Sequence, residues 1–427
     1  MSPPFSSTCL LRPLLTASIG LILLACSQGA ASSEAPPTTS VQTYPESHVQ
    51  LGPRPYFLAE SLPEGPLRDR LLSCTGPFEP DRFSIGHRGA PLQFPEHTEE
   101  SYRAAARMGA GVLECDVTFT SDRELVCRHS QCDLHTTTDI LTRPELASKC
   151  RVPFQAADPE SGSLAKAECC TSDISLEEFK SLCGKMDASD PTATTVEDFL
   201  DATPSWRTDL YTACGTLLSH KESVALFQEL GVAMTPELKS PMVEMPFQGE
   251  FTQSDYASAL IRELEEAGVS AEDARPQSFN PVDVQHWNQE HPRFGAQALL
   301  LDGRGRGALD PNRPETWEPS MEDLVASGVR TLAPPIWMLA TVSDGQFAPT
   351  LYGQAARAAG LQLVTWTLER SGQPSVQEDW YFYGLGAAMK TEGQVFALLE
   401  MLDKSLGVAG VFSDWPATTT FYANCRE

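Results

Sequence analysis

Basic side chains are scarce in this sequence: its 427 residues hold 31 Lys and Arg against 57 Asp and Glu, a formal charge of −26. That deficit excludes a nucleic-acid backbone as ligand, because no cationic surplus exists to replace its counterions. An anionic small molecule would need a local device, such as a metal ion, to hold it. No GxGxxG or GxxxxGK loop follows any strand-like run, so the usual nucleotide devices of an open doubly wound sheet are missing. The 12 cysteines form no paired CxxC set, which argues against a zinc ribbon. The apolar stretch near the N-terminus, residues 14–25, is too short to span a bilayer comfortably.

What that stretch does match is the h-region of a signal peptide. It ends in Leu23-Leu24-Ala25-Cys26, which resembles the bacterial lipobox. The expectation is a signal peptide over residues 1–25, a lipidated Cys26 and attachment to a membrane through an N-terminal lipid anchor. Plain secretory cleavage near Ala30 or Ala31 is the alternative. Ser27 after the cysteine, rather than Asp, favours the outer membrane, so the expected location is the periplasmic or cell-surface face. Residues 26–53 are rich in Ser, Ala, Pro and Thr with little apolar periodicity and read as a flexible tether. Setting aside Cys9 and Cys26, ten cysteines remain, an even number that suggests disulfides in an exported chain.

From residue 54 to 427 short apolar runs alternate with helical patterns, as a parallel sheet requires. Strand candidates are residues 83–86, 111–117, 124–128, 232–234, 274–279, 297–301, 331–334, 361–366 and 410–412. Helix candidates include 98–108, 255–267, 320–327 and 353–359. That makes nine strands for the eight places of a (β/α)₈ barrel, so one is an extra edge or is wrong. Residues 135–231 are too many for a βα connection and read as an insertion stapled by Cys150, Cys169, Cys170, Cys183 and Cys214.

Polar and ionisable residues gather where these strands end, which in a barrel is the active-site face. The segments are Gly86-His87-Arg88-Gly89, Pro95-Glu96-His97-Thr98, Glu114-Cys115-Asp116, Arg128-His129-Ser130 and Pro236-Glu237-Leu238-Lys239. Strand alternation puts Glu114 and Asp116 on one face, and Glu237 with Lys239 likewise. Glu114, Asp116 and Glu237 make an all-oxygen ligand set suited to one divalent cation, Ca²⁺ or Mg²⁺. The same alternation puts Cys127 on the face of His129 and Cys115 on the other, so a Cys115–Cys127 disulfide is not expected. Phe279 reads as core, Asp414 as the cap of a loop, and His135, His220, His286 and His291 as surface histidines.

His87-Arg88-Gly89, Pro95-Glu96-x-Thr98, Glu114-x-Asp116, His129, Glu237-x-Lys239, Gln277-Ser278-Phe279, Trp366-Thr367 and Ser413-Asp414-x-Pro416, in that order, resemble the glycerophosphodiester phosphodiesterase family. The resemblance implies a TIM barrel of the phospholipase C-like type and metal-dependent release of an alcohol and sn-glycerol 3-phosphate from a small glycerophosphodiester. It implies that His87 and His129 act as acid and base. Arg88, Lys239 and Trp366 would bind substrate, and Glu96 and His97 would support the metal ligands. The family usually has Asn where His97 stands and Asp where Ser130 follows the histidine. The first departure either adds a metal ligand or replaces one hydrogen-bonding amide; the second removes a carboxylate beside a catalytic base. Competing readings are a phospholipase C or D, or a sphingomyelinase D-like enzyme, on intact lipids, and a noncatalytic surface-binding lipoprotein.

Overall fold

The computed structural model describes residues 49–305, 307–375 and 380–427. The expected signal peptide, Cys26 and most of the tether lie outside these residues. Of the tether's end, Gln50 donates its backbone N–H to Arg107 O and Leu51 is buried.

Eleven strands matter for the site: β1 (Asp81–Gly86), β2 (Ala110–Leu113), β3 (Asp116–Phe119), β4 (Leu125–Cys127), β5 (Ala233–Met234), β6 (Glu237–Leu238), β7 (Gln277–Ser278), β8 (Leu299–Leu301), β9 (Thr331–Ala333), β10 (Gln362–Leu368) and β11 (Gly410–Ser413). β2 and β3 are two halves of one stave interrupted at Glu114 and Cys115, and β5 and β6 are halves of the next. Counted so, eight parallel staves pair in sequence, and β11 returns to β1 through Ser84↔Val411 to close the ring. A helix follows each stave: α1 (Glu99–Arg107), α2 (His220–Leu230), α3 (Gln253–Glu266), α4 (Pro281–Glu290), α5 (Met321–Ala326), α6 (Leu351–Ala358), α7 (Gln394–Leu406) and α8 (Ala417–Asn424). The architecture is a (β/α)₈ barrel.

Alternation along the staves sorts the apolar side chains into two layers. Ile85, Val112, Ala233, Leu299, Leu301, Ala333, Val364 and Phe412 fill the interior. Their neighbours Leu300, Leu332, Leu363 and Val411 face outward to the helices and join the larger core. The ninth strand candidate, at 124–128, is the extra one: β4 runs antiparallel to β3 as a hairpin.

Two corrections follow. Residues 135–231 are not all addition, because α2 is the barrel helix after the β2–β3 stave, started by a Ser219–Glu222 capping box. Cys115 and Cys127 are disulfide-bonded. In the hairpin Val117 pairs with Cys127, which puts Cys115 and Cys127 on one face. The expectation failed because it extended strand alternation to His129, whereas β4 ends at Cys127 and the chain then turns.

The added segment has its own apolar core, including Val126, Ile140, Phe179, Phe199 and Leu217. Three disulfides, Cys132–Cys170, Cys150–Cys169 and Cys183–Cys214, lie within it, and Cys74–Cys425 ties the start of the barrel to its end. Non-reducing peptide mapping should recover these four cross-links together with Cys115–Cys127. The Cys74→Ser/Cys425→Ser variant should lose about 2–4 kcal/mol of stability in denaturant titration, as removal of a long-loop cross-link does. A fragment linking Cys115 to another cysteine would contradict the hairpin.

Candidate active site

The site is assembled where the staves end. After β1 the chain turns sharply, with Arg88 at φ 56° and Gly89 at φ 94°. A side chain at Gly89 would put its Cβ 2.8 Å from Ser101 Cβ, so the turn requires glycine. The turn aims the Arg88 backbone N–H at Glu114 Oε2, 3.0 Å away. Glu114 Oε1 accepts from Gln277 Nε2 at 2.7 Å. Two staves and a loop thus hold one carboxylate.

Glu114, Asp116 and Glu237 converge, with ligand oxygens within 4.8 Å of one another, all buried. Their charges disturb each other. Burial pushes Glu114 well above the usual carboxylate range, and Asp116 and Glu237 add to it. Glu237 is raised to about 7 by burial against the pull of Lys239, whose Nζ lies 2.6 Å from Glu237 Oε1. Burial also works against an ionised Asp116, yet Lys239, His97 and Arg88 outweigh it and hold Asp116 well below its ordinary value. Asp116 Oδ1 is buried without a hydrogen-bond donor among the described residues. An orphaned carboxylate oxygen beside two more carboxylates is a donor set that fits a hard divalent cation.

His97 is fully buried, with Nε2 2.9 Å from Asp116 Oδ2 and Nδ1 2.8 Å from the Tyr102 hydroxyl. Both ring nitrogens are engaged, Nε2 by a carboxylate and Nδ1 by a hydroxyl. Burial lowers its pKa to about 4.

His87 and His129 line one cavity of ≈ 160 Å³ together with Arg88, Glu114, Glu237, Lys239, Phe279, Leu301, Trp366, Tyr381 and Phe412. His87 Nδ1 lies 2.6 Å from Asp414 Oδ1, and its Nε2 is 3.9 Å from Glu114 Oε2. Burial, then Arg88, lowers the His87 pKa to about 4 against the opposing pull of Asp414. Asp414 is therefore no mere loop cap. Its Oδ2 accepts from Arg370 Nη1 at 3.1 Å and from Arg207 Nη2 at 3.0 Å; burial works to raise its pKa, but Arg370, then His87 and Arg207, lower it to about 2. Arg370 reaches on to Glu96 Oε2 at 2.9 Å, and Glu96 accepts both ways from Arg88 Nη1. A buried chain of alternating charge, Arg88–Glu96–Arg370–Asp414–His87, encloses one side of the site.

His129 is half-buried at the turn after β4. Burial depresses its pKa well below the ordinary value, and Arg88 and Lys239 add to that. Asp133, three residues past Ser130, puts an oxygen within 4.8 Å of His129 and Glu96 ligand atoms and accepts from Ser130 N at 2.9 Å.

Trp366 is half-buried, with Nε1 donating to Ala333 O at 2.8 Å and its ring edge-on to Phe279. Phe279, read as core, is 38% exposed. The reason is that β7 ends at Ser278, so Phe279 leaves the stave and enters the rim. His220, read as a surface residue, is buried against Glu263 at 2.8 Å, because α2 and α3 pack side by side. Arg207, Arg370 and Asp133 went unread; no local pattern marks the two arginines, since each owes its place to a partner far away in sequence, whereas Asp133 is held by the nearby Ser130 and Thr137 in the turn after β4.

With its ionisable groups gathered at the carboxyl ends of the staves, this barrel is by class a phosphoric diester hydrolase. The chain belongs to the glycerophosphoryl diester phosphodiesterase family, whose model matches residues 87–418. It is 42% identical over 248 residues to an "Extracellular protein" of Arthroderma benhamiae, covering 56% of this chain and 99% of that one. A glycerophosphodiester phosphodiesterase of Bacillus subtilis is 42% identical over 53 residues, 12% of this chain and 18% of that one. The barrel fold is shared with the crystal structure of a Silicibacter pomeroyi protein assigned to the same class of diesterase, at 18% identity and TM-score 0.50, covering 81% of this chain and 93% of that one.

Burial raises Asp133 to about 7, above the roughly 3.9 of an unfolded chain. The folded state then holds a proton that the unfolded state has lost, so this group's stabilisation is full below about pH 4 and is lost as pH rises through about 7. Asp133→Asn should remove that dependence: its Tm relative to the parent should climb between pH 4 and pH 8, by the equivalent of a few kcal/mol. Parallel Tm curves would refute the assignment.

Proposed function

We propose that this chain hydrolyses glycerophosphodiesters to an alcohol and sn-glycerol 3-phosphate, with His87 and His129 as the acid/base pair. Glu114, Asp116 and Glu237 hold one divalent cation, Ca²⁺ or Mg²⁺. The observation that carries this reading is the convergence of both histidines, Arg88, Lys239 and two of the three carboxylates on a single cavity.

The chemistry follows from the placement. A phosphodiester needs its nonbridging charge neutralised, its nucleophile deprotonated and its leaving alkoxide protonated. When bound, the cation supplies neutralisation and polarises a phosphoryl oxygen. Arg88 and Lys239 add fixed positive charge on the same wall. The glycerol hydroxyl next to the phosphate attacks phosphorus, its proton passes to one imidazole, and the bond to the head-group oxygen breaks as the other imidazole donates a proton. Water then opens the cyclic phosphate with the two roles reversed. Asp414 holds the His87 ring through Nδ1 and stabilises its protonated form, as the carboxylate of a catalytic triad does. The apolar face of Trp366 borders the substrate. Five disulfides and the extracellular fungal relative support an exported enzyme. The lipid anchor at Cys26 completes the proposal, with residues 54–427 as the catalytic unit.

With glycerophosphocholine as substrate, His87→Ala and His129→Ala should each lower kcat by about 10²–10⁴-fold. Chelation should abolish turnover, and Ca²⁺ or Mg²⁺ should restore it. Turnover surviving both substitutions would sink the acid/base assignment.

Arg207→Met tests whether the added segment contributes to catalysis. It removes one of the two cations on Asp414 and should lower kcat about tenfold with little change in KM, because it acts through the orientation of His87. An unchanged kcat would confine Arg207 to a structural role.

A further inference from the structure

The Cys115–Cys127 bridge joins two parts of the site that no other covalent link connects closely. Cys115 stands between Glu114 and Asp116, and its carbonyl accepts the backbone N–H of Glu237 at 2.9 Å. All three proposed cation ligands therefore take their backbone position from this one residue. Cys127 closes β4, two positions before His129, and the intervening Arg128 donates its N–H to Asp116 O at 2.7 Å. Both cysteines are buried.

The bridge falls where regular structure gives least support. The stave is interrupted at Glu114 and Cys115, and the hairpin pairs run the other way, from Val117↔Cys127 to Phe119↔Leu125. β4 is three residues long, and beyond it the chain leaves the barrel for a segment with its own apolar core. Asp414 orients the His87 ring, but among the described residues no hydrogen bond holds the ring of His129. Its place is set by its backbone, at the seam between two separately packed bodies. Stability alone gives little reason for a cross-link here. Loop closure constrains the unfolded chain less as the loop shortens, and these cysteines are 12 positions apart against 351 for Cys74 and Cys425.

We propose that the Cys115–Cys127 disulfide is a positioning element of the catalytic machinery, holding the three cation ligands and His129 in one rigid frame. The proposal rests on the reading above and adds to it a residue pair that acts through other groups without touching substrate. A misplacement of about 1 Å costs on the order of 10²-fold in rate, so a seam free to shift by that much would uncouple the cation from the acid/base pair.

The test is Cys115→Ala/Cys127→Val on the whole chain, with Cys74→Ser/Cys425→Ser as the reference for a bridge that only stabilises. The first should lower kcat for glycerophosphocholine about 10- to 100-fold and weaken Ca²⁺ or Mg²⁺ binding several-fold in calorimetry. The reference should lose stability yet keep kcat and cation affinity within about twofold. Unchanged kcat and cation affinity in Cys115→Ala/Cys127→Val would overturn the proposal. If that variant fails to fold, the unaltered chain is titrated with a phosphine reductant, and each bridge is followed by alkylation and peptide mapping. Activity should then fall with the opening of Cys115–Cys127 while the far-ultraviolet circular dichroism is still native. Activity that persists with this bridge open, or that is lost only as the dichroism is lost, would overturn it. An unaltered chain that turns over no glycerophosphodiester would overturn the hydrolase reading instead, and the calorimetric comparison would still decide this one.

Discussion

Three buried carboxylates crowded together set the terms for the rest of this structure. Buried charges of one sign repel and lose hydration, and the cluster answers with two residues displaced upward in pKa and one held down. The surroundings read as compensation. A backbone N–H and a glutamine amide hold Glu114, a histidine holds Asp116 and a lysine faces Glu237. Behind them the Arg88–Glu96–Arg370–Asp414 chain alternates sign so that no member is left alone. Such a network is rigid because removing one partner strands another buried charge. Rigidity here has a use, since the same chain ends on the His87 ring.

The added segment is part of this arrangement. It starts as the β4 hairpin, and the turn that ends the hairpin delivers His129 and Asp133 to the barrel mouth. Farther along, Arg207 comes back over the barrel to grip Asp414. A loop without regular structure could not hold those positions, but this one carries its own apolar core and three disulfides. Cross-linking there limits the motion of groups that face the small cavity.

On the opposite side the wall is aromatic. Phe279 and Trp366 meet edge to face, and Trp366 stacks on Trp380. This wall divides a small charged cavity from a large apolar one of ≈ 540 Å³, so the barrel mouth offers two solvents within one site.

Much of this was legible in the chain. Alternating apolar runs and helices implied the barrel, and Glu114-x-Asp116 put two carboxylates on one face, because strand and helix periodicity are local properties that neighbouring residues share. The ordered motifs likewise named the residues that line the pocket. Tertiary structure decided what periodicity does not reach. It made 124–128 a hairpin, joined Cys115 to Cys127 where alternation was carried one step too far, and set Asp133 beside His129 and Glu96. It brought Arg207 to Asp414 across 207 positions and left a cavity between staves and helices that no stretch of sequence announces. Those features arise from ring closure and from packing between distant segments, and a contact between distant segments leaves no periodic trace in either of them.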